Sequence, residues 1–91
     1  MPKLNITKDA LDFWERLDAK QYKQIGRRVL SLLSDPLPHD STQLKGYAFR
    51  RVDIGEYRII YRFDVLEEMV VIECIGLRND DDVYKQLRRK A

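Results

Sequence analysis

Two alternating stretches, Ala48 to Ile54 and Tyr57 to Phe63, flank the dipeptide Gly55-Glu56. A two-residue loop with glycine first suits a type II′ turn, whose twist matches the strands it joins, so the segment predicts a tight antiparallel hairpin. Nothing else in the chain restricts the fold as strongly, because so short a turn also fixes the register. Ile54 falls opposite Tyr57, Val52 opposite Ile59 and Arg50 opposite Tyr61. Side chains alternate along a strand, so Val52, Ile54, Tyr57, Ile59, Tyr61 and Phe63 share one face. The other face receives Asp53 beside Arg58, Arg51 beside Ile60 and Phe49 beside Arg62. The pattern predicts one covered apolar face and one open face, arginine-rich and partly aromatic.

Upstream of the hairpin the period is helical. Lys3 to Ile6 alternates and reads as a short first strand. Thr7 can cap a helix whose apolar set is Ala10, Phe13, Trp14 and Leu17. Asp18-Ala19-Lys20-Gln21 has capping-box spacing and predicts a second helix. Its stripe is Tyr22, Ile25, Val29, Leu32 and Leu33, and it stops before Pro36. Gly26 inside this helix costs about 1 kcal/mol against alanine, which a close approach of the two helices would explain. So short a connection predicts an antiparallel helical hairpin. Residues 35–42 read as a loop. Met69 to Ile75 is apolar on both faces and belongs inside the sheet. Asn79 is the cap of a last short helix, with Asp80, Asp81 and Asp82 in its first turn and Lys85, Arg88, Arg89 and Lys90 towards its end, matching the macrodipole. The sum is an α+β fold: a short N-terminal strand, an antiparallel two-helix hairpin on one face of a mainly antiparallel twisted sheet, and a short C-terminal helix.

A chain of 91 residues predicts a single domain over 1–91 with a thin core. No apolar run reaches the ~18 residues of a membrane span, and the N-terminus lacks a signal-peptide layout, which points to a cytoplasmic protein with no membrane partner. A single cysteine, Cys74, rules out an intramolecular disulfide and a thiolate metal cluster. Between Ile72 and Ile75 it reads as a buried strand residue. The lone histidine, His39, reads as a solvated loop residue, and Phe13 and Trp14 as core. The formal net charge is only +2, so any case for nucleic-acid binding must rest on where the arginines lie. Phe49 is a candidate for stacking on a base if the hairpin's second face is open. Arg51 reads equally as a plain surface charge or an RNA contact. Lys85, Arg88, Arg89 and Lys90 suit either a neutralised helix end or a phosphate-rich RNA surface.

The hairpin from Phe49 to Tyr61, the ending Ile75-Gly76-Leu77-Arg78-Asn79-Asp80-Asp81-Asp82-Val83-Tyr84, and Leu44-Lys45-Gly46 before the hairpin together resemble the RelE/ParE superfamily of bacterial and archaeal toxins, the RelE branch in particular. The likeness spans nearly the whole chain. It implies a RelE-like microbial RNase fold and the toxin role in a type II toxin–antitoxin pair. It further implies a ribosome-dependent endoribonuclease, an mRNA interferase that cuts in the A site through 2′-OH attack on the adjacent phosphate and so inhibits translation. No metal or organic cofactor is implied. The implied partners are a cognate antitoxin, RelB-like or other, in a hetero-oligomer, together with the ribosome and mRNA. Carried over by position, Arg58 is the sheet arginine that stabilises the phosphate, Arg78 the arginine before the last helix and Tyr84 the terminal tyrosine, with Arg51 assisting.

Three positions depart from the family pattern. Leu77 stands where relatives often carry lysine or histidine, and Phe49 and Asp53 stand where some carry further basic side chains. The cleft is therefore less basic than in the strongest nucleases of the group. Arginine suits the phosphate role, since its planar fork donates two bonds and stays charged. A phenol near guanidinium groups is a possible base for the 2′-OH, or an orienting group. The blander alternatives are a cross-strand pair of Arg58 with Asp53, a solvated Arg78, and packing for Tyr84, with Val83 and Leu87 as the core pair of that helix. Two other functions fit the same residues: a ParE-like DNA gyrase poison, and a catalytically weak homologue that acts mainly as an antitoxin-binding partner.

Overall fold

A computed structural model describes residues 1–79 and 82–90. Along the chain run β1 (Lys3–Ile6), α1 (Lys8–Glu15), α2 (Ala19–Ser34), β2 (Thr42–Gln43), β3 (Arg50–Ile54), β4 (Tyr57–Asp64), β5 (Met69–Leu77) and α3 (Asp82–Lys90). The strands form one sheet in the order β1-β5-β4-β3-β2. β1 runs parallel to β5 and the other pairs are antiparallel.

The two hairpin helices start at the residues whose side chains can take their first free N–H groups. Thr7 accepts from the Ala10 N–H at 3.3 Å and Asp18 from the Gln21 N–H at 3.1 Å. The Thr7 hydroxyl also donates to the Glu73 carbonyl at 2.7 Å, tying the start of α1 to β5. Ala10 and Trp14, with Ile25, Val29, Leu32 and Leu33, are buried against Val52, Ile59, Tyr61, Val70, Ile72 and Ile75 of the sheet. Each fully buried Leu, Ile or Val there stabilises the fold by about 1.5–3 kcal/mol. Tyr22 stays 44% exposed, yet its ring lies 5.2 Å from that of Trp14 and its carbonyl accepts the indole N–H at 3.0 Å. At Gly26 an added Cβ would meet Trp14 Cζ2 at 3.5 Å. The helices do approach there, but an alanine would fit in ordinary contact.

The hairpin has the expected register, Ile54 to Tyr57 through Arg50 to Tyr61. Gly55 takes φ +57° and Glu56 is not among the residues with positive φ, as a glycine-first turn requires. Three features differ from the sequence reading. Thr42 and Gln43 form a short edge strand against Arg51 and Arg50, where composition reads loop, and the hairpin's first strand begins at Arg50. In β5 the pairing slips from Ile60–Cys74 to Tyr61–Ile72, leaving Glu73 as the extra residue of a bulge. Only this bulge lets Ile72 and Ile75, at an odd spacing, both face the helical hairpin.

The third difference concerns the face read as open. Val83 and Leu87 of α3 are buried on Ile60 and Cys74, with Leu44, Phe49 and Tyr84 packed around them. A second small core thus covers the middle of that face. The reason is local: Ile60 and Cys74 are apolar and point away from the helical hairpin, so they need a cover of their own. The residues assigned to the first turn of α3, Asp80 and Asp81, lie outside the described residues.

Candidate functional site

Strand alternation puts Arg51, Asp53 and Arg58 on the α3 side of the sheet, at the rim of the second core. Because Val83 and Leu87 face that core, Tyr84 is turned sideways over the β3–β4 arginines. Arg58 Nη1 donates to the Tyr84 hydroxyl at 2.8 Å and Arg51 Nη1 donates to the same oxygen at 3.0 Å. The Arg58 guanidinium also lies 5.9 Å from the centre of the Tyr84 ring, within reach of a cation–π attraction. Its remaining fork is taken by Asp53, with Nε to Oδ1 at 2.8 Å and Nη2 to Oδ2 at 3.2 Å. The cross-strand pair and the tyrosine contact therefore coexist.

Arg78 is exposed at the end of β5, and its backbone N–H donates to the Glu56 carbonyl at 2.9 Å. That bond fixes the strand end beside the hairpin turn. The Arg58 hydrogen bond, with the charges of Arg58, Arg51 and Arg78, holds the Asp53 carboxyl below the usual carboxylate range, against the opposing effect of burial. Reciprocally, the hydrogen bond to Asp53 raises the pKa of Arg58, with Tyr84 contributing less. One carboxylate thus sits within the field of three guanidinium groups, and two of them share the Tyr84 hydroxyl, which makes the site an anion trap with a proton-carrying oxygen at its edge.

Of the other residues singled out in the sequence, Phe49 packs against the second core and its ring centre lies 6.0 Å from that of Tyr47. It is half-buried. Lys85, Arg88 and Arg89 are exposed along α3, outside the hydrogen-bonded group. Arg62 shares the strand face of Arg58 but is held by Glu73 at 3.4 Å and Asp64 at 3.7 Å. Two residues of the site carried no sequence signal. Asp40 and Thr42 line a cleft of about 220 Å³ with Arg51 and Asp53. Thr42 reaches it through the unforeseen edge strand, and Asp40 is steadied by Arg28 at 2.8 Å. Among the described residues, no three His, Cys, Asp or Glu side chains are grouped to hold a metal ion, and no helix is long and apolar enough to cross a membrane.

A helical hairpin on a mixed five-stranded sheet, with a short terminal helix on the opposite face, is the architecture of the RelE toxins. A free E. coli RelE double mutant shares it with a TM-score of 0.83 at 16% identity, over 98% of this chain and 96% of that one. So does the RelBE2 toxin–antitoxin complex of Mycobacterium tuberculosis, with TM-score 0.76, 22% identity and coverage of 86% and 100%. The YoeB/ParE toxin of Agrobacterium tumefaciens gives TM-score 0.73, 23% identity and coverage of 84% and 98%. At such identities the likeness is one of fold. No curated protein matches the sequence. The family model of the ParE toxin of type II toxin–antitoxin systems, parDE, matches residues 4–82, and the chain belongs to that family. It is the toxin of a type II toxin–antitoxin system, within the RelE/ParE superfamily.

Proposed function

We propose that this toxin is a ribosome-dependent endoribonuclease that cuts mRNA in the A site, needs no metal or organic cofactor, and works in the cytoplasm as a single domain. The observation that carries the reading is the shared Tyr84 hydroxyl, bound at once by Arg58 and Arg51 at 2.8 and 3.0 Å. A structural arginine has no need of a phenol already claimed by a second cation, whereas a phosphate site needs both charge and a proton carrier. In the proposed reaction the ribose 2′-hydroxyl gives its proton to water as its oxygen attacks the adjacent phosphorus, and the 5′-oxygen leaves with a proton from Tyr84, which solvent then restores, giving a 2′,3′-cyclic phosphate. Arg58 and Arg78 bind the non-bridging oxygens as charge accumulates there. Tyr84 uses its oxygen to accept from two guanidinium groups, so its own hydrogen points away from both and is available to the leaving oxygen. Arg51 holds that hydroxyl in place. Lys85, Arg88 and Arg89 would add phosphate contacts to the ribosomal RNA, while half-buried Phe49 has only part of its surface left for a base.

The partners in this reading are the ribosome, its mRNA and a cognate antitoxin. The E. coli RelBE and M. tuberculosis RelBE2 structures are toxin–antitoxin complexes on the same fold, which supports an antitoxin for this chain. The test is to incubate the purified toxin with programmed ribosomes and map the new 5′ ends of the transcript. Cleavage within the A-site codon is expected, with a loss of about 10²–10³-fold in Arg58→Ala. The match to the ParE family model favours a second reading, a DNA gyrase poison. Broken DNA with intact transcripts after induction would establish that reading and end the first.

A further inference from the structure

We infer that Asp53 is a built-in competitor for the RNA phosphate, and thereby the residue that confines cleavage to RNA delivered in a fixed position. The inference rests on the reading of Arg58 as the phosphate-gripping residue. A carboxylate and a phosphate offer a guanidinium the same pair of acceptor oxygens, so the two compete for one planar fork. Asp53 already fills it, both oxygens engaged at 2.8 and 3.2 Å, while Tyr84 takes the third nitrogen of Arg58. The carboxylate also feels Arg51 and Arg78, which keep it ionised. A phosphodiester arriving at Arg58 must therefore replace an anion favoured by every cation around it.

The placement makes displacement possible without moving the fold. Asp53 stands directly opposite Arg58 on neighbouring strands, so no loop motion separates them and only a side-chain rotation does. The Arg58 side chain is 14% exposed but that of Asp53 is 39% exposed, and Asp53 borders the cleft shared with Thr42 and Arg51. A free oligonucleotide has little beyond its own phosphate contacts to drive that rotation. RNA held by a large assembly brings binding energy from remote contacts, which can be used at the reacting centre. Asp53 thus excludes free RNA and admits RNA that is held in place. A general base at this position would need a carboxylate oxygen turned towards the 2′-OH, and both oxygens here face Arg58.

The experiment is a fluorescence-anisotropy titration of a short labelled single-stranded RNA, 2′-O-methylated so that it cannot be cut. Wild type, Asp53→Asn, Asp53→Ala, the double variant Asp53→Asn/Arg58→Ala and the charge control Glu15→Gln are compared, each at a temperature where circular dichroism shows it folded. Glu15 is exposed on α1, on the far face of the sheet, and its loss changes net charge as the loss of Asp53 does. Both Asp53 single variants should bind free RNA about tenfold more tightly than wild type, the double variant should lose the gain, and the control should show almost none. Binding by the Asp53 variants no tighter than by the charge control overturns the proposal, as does a gain that survives Arg58→Ala. Weaker binding would make Asp53 a positioning residue and overturn it too. Wild-type cleavage of mRNA on programmed ribosomes is scored separately. If wild type leaves that mRNA intact while the Arg58-dependent gain persists, the nuclease reading and the confinement of cleavage fail, and Asp53 stands as a competitor for RNA phosphate alone. If wild type cuts and no gain is seen, only the competitor falls.

Discussion

The Tyr84 oxygen accepts hydrogen bonds from two guanidinium groups, and Tyr84→Phe deletes that acceptor while keeping the ring on the rim of the second core. Cleavage on programmed ribosomes should fall about 10²-fold, with ribosome binding unchanged in a pelleting assay; unchanged cleavage would remove Tyr84 from the chemistry. Asp53 supplies a prediction in pH. Its carboxyl is depressed in the folded protein, chiefly by the Arg58 hydrogen bond, so its contribution to stability is fully present above the unfolded-state value and lost as pH falls through the lower folded value. Urea melts of wild type and Asp53→Asn should therefore differ by a constant amount above about pH 4 and converge at more acid pH. A gap that widened on acidification would contradict the sign. The Asp53–Arg58 pairing was legible from the turn alone, because a two-residue loop leaves one register. Sharing of Tyr84 with Arg51 was not, since that depends on how a distant helix is rotated.

Among the elements, α2 and the hairpin turn carry opposite glycine effects. Gly26 has ordinary helical geometry and room beside Trp14, so Gly26→Ala should stabilise the protein by about 0.5–1 kcal/mol in thermal or denaturant melts. Gly55 has φ +57° and an added Cβ there would lie 2.8 Å from Gln24 Nε2. The glutamine can move but the backbone strain remains, so Gly55→Ala should cost about 1 kcal/mol or more. Helix α3 is held by Val83 and Leu87 on Ile60 and Cys74. Leu87→Ala should cost about 2–4 kcal/mol at that contact. Because the main core lies on the other side of the sheet, hydrogen exchange should rise in α3 while β4 and β5 stay protected, and cleavage should fall with the loss of Tyr84 placement. Helix starts at Thr7 and Asp18, and the interior position of β5, were readable because caps and two-sided apolarity are local signals. The edge strand at Thr42–Gln43 and the bulge at Glu73 were not, because each exists only as a relation to a partner strand.

Seen whole, the molecule has a large core on one side of its sheet and a small one on the other, with the anion site on the rim of the small one. Charge, not apolar area, should then govern RNA affinity. If Arg51, Arg58 and Arg78 each neutralise a phosphate once Asp53→Asn has released Arg58, the logarithm of that variant's binding constant for free single-stranded RNA should fall with the logarithm of salt at a slope of about −2; a flat titration would refute phosphate-led binding. Periodicity and turn chemistry were enough to specify the order of the elements other than the edge strand, the register of the hairpin and most residues of the main core, since these follow from backbone sterics and from which side chains avoid water. Closure of the second face was left to the tertiary structure. Ile60, Cys74, Val83 and Leu87 come from three separate elements, and only their joint burial turns Tyr84 over Arg51 and Arg58 and builds a site from residues far apart in the chain.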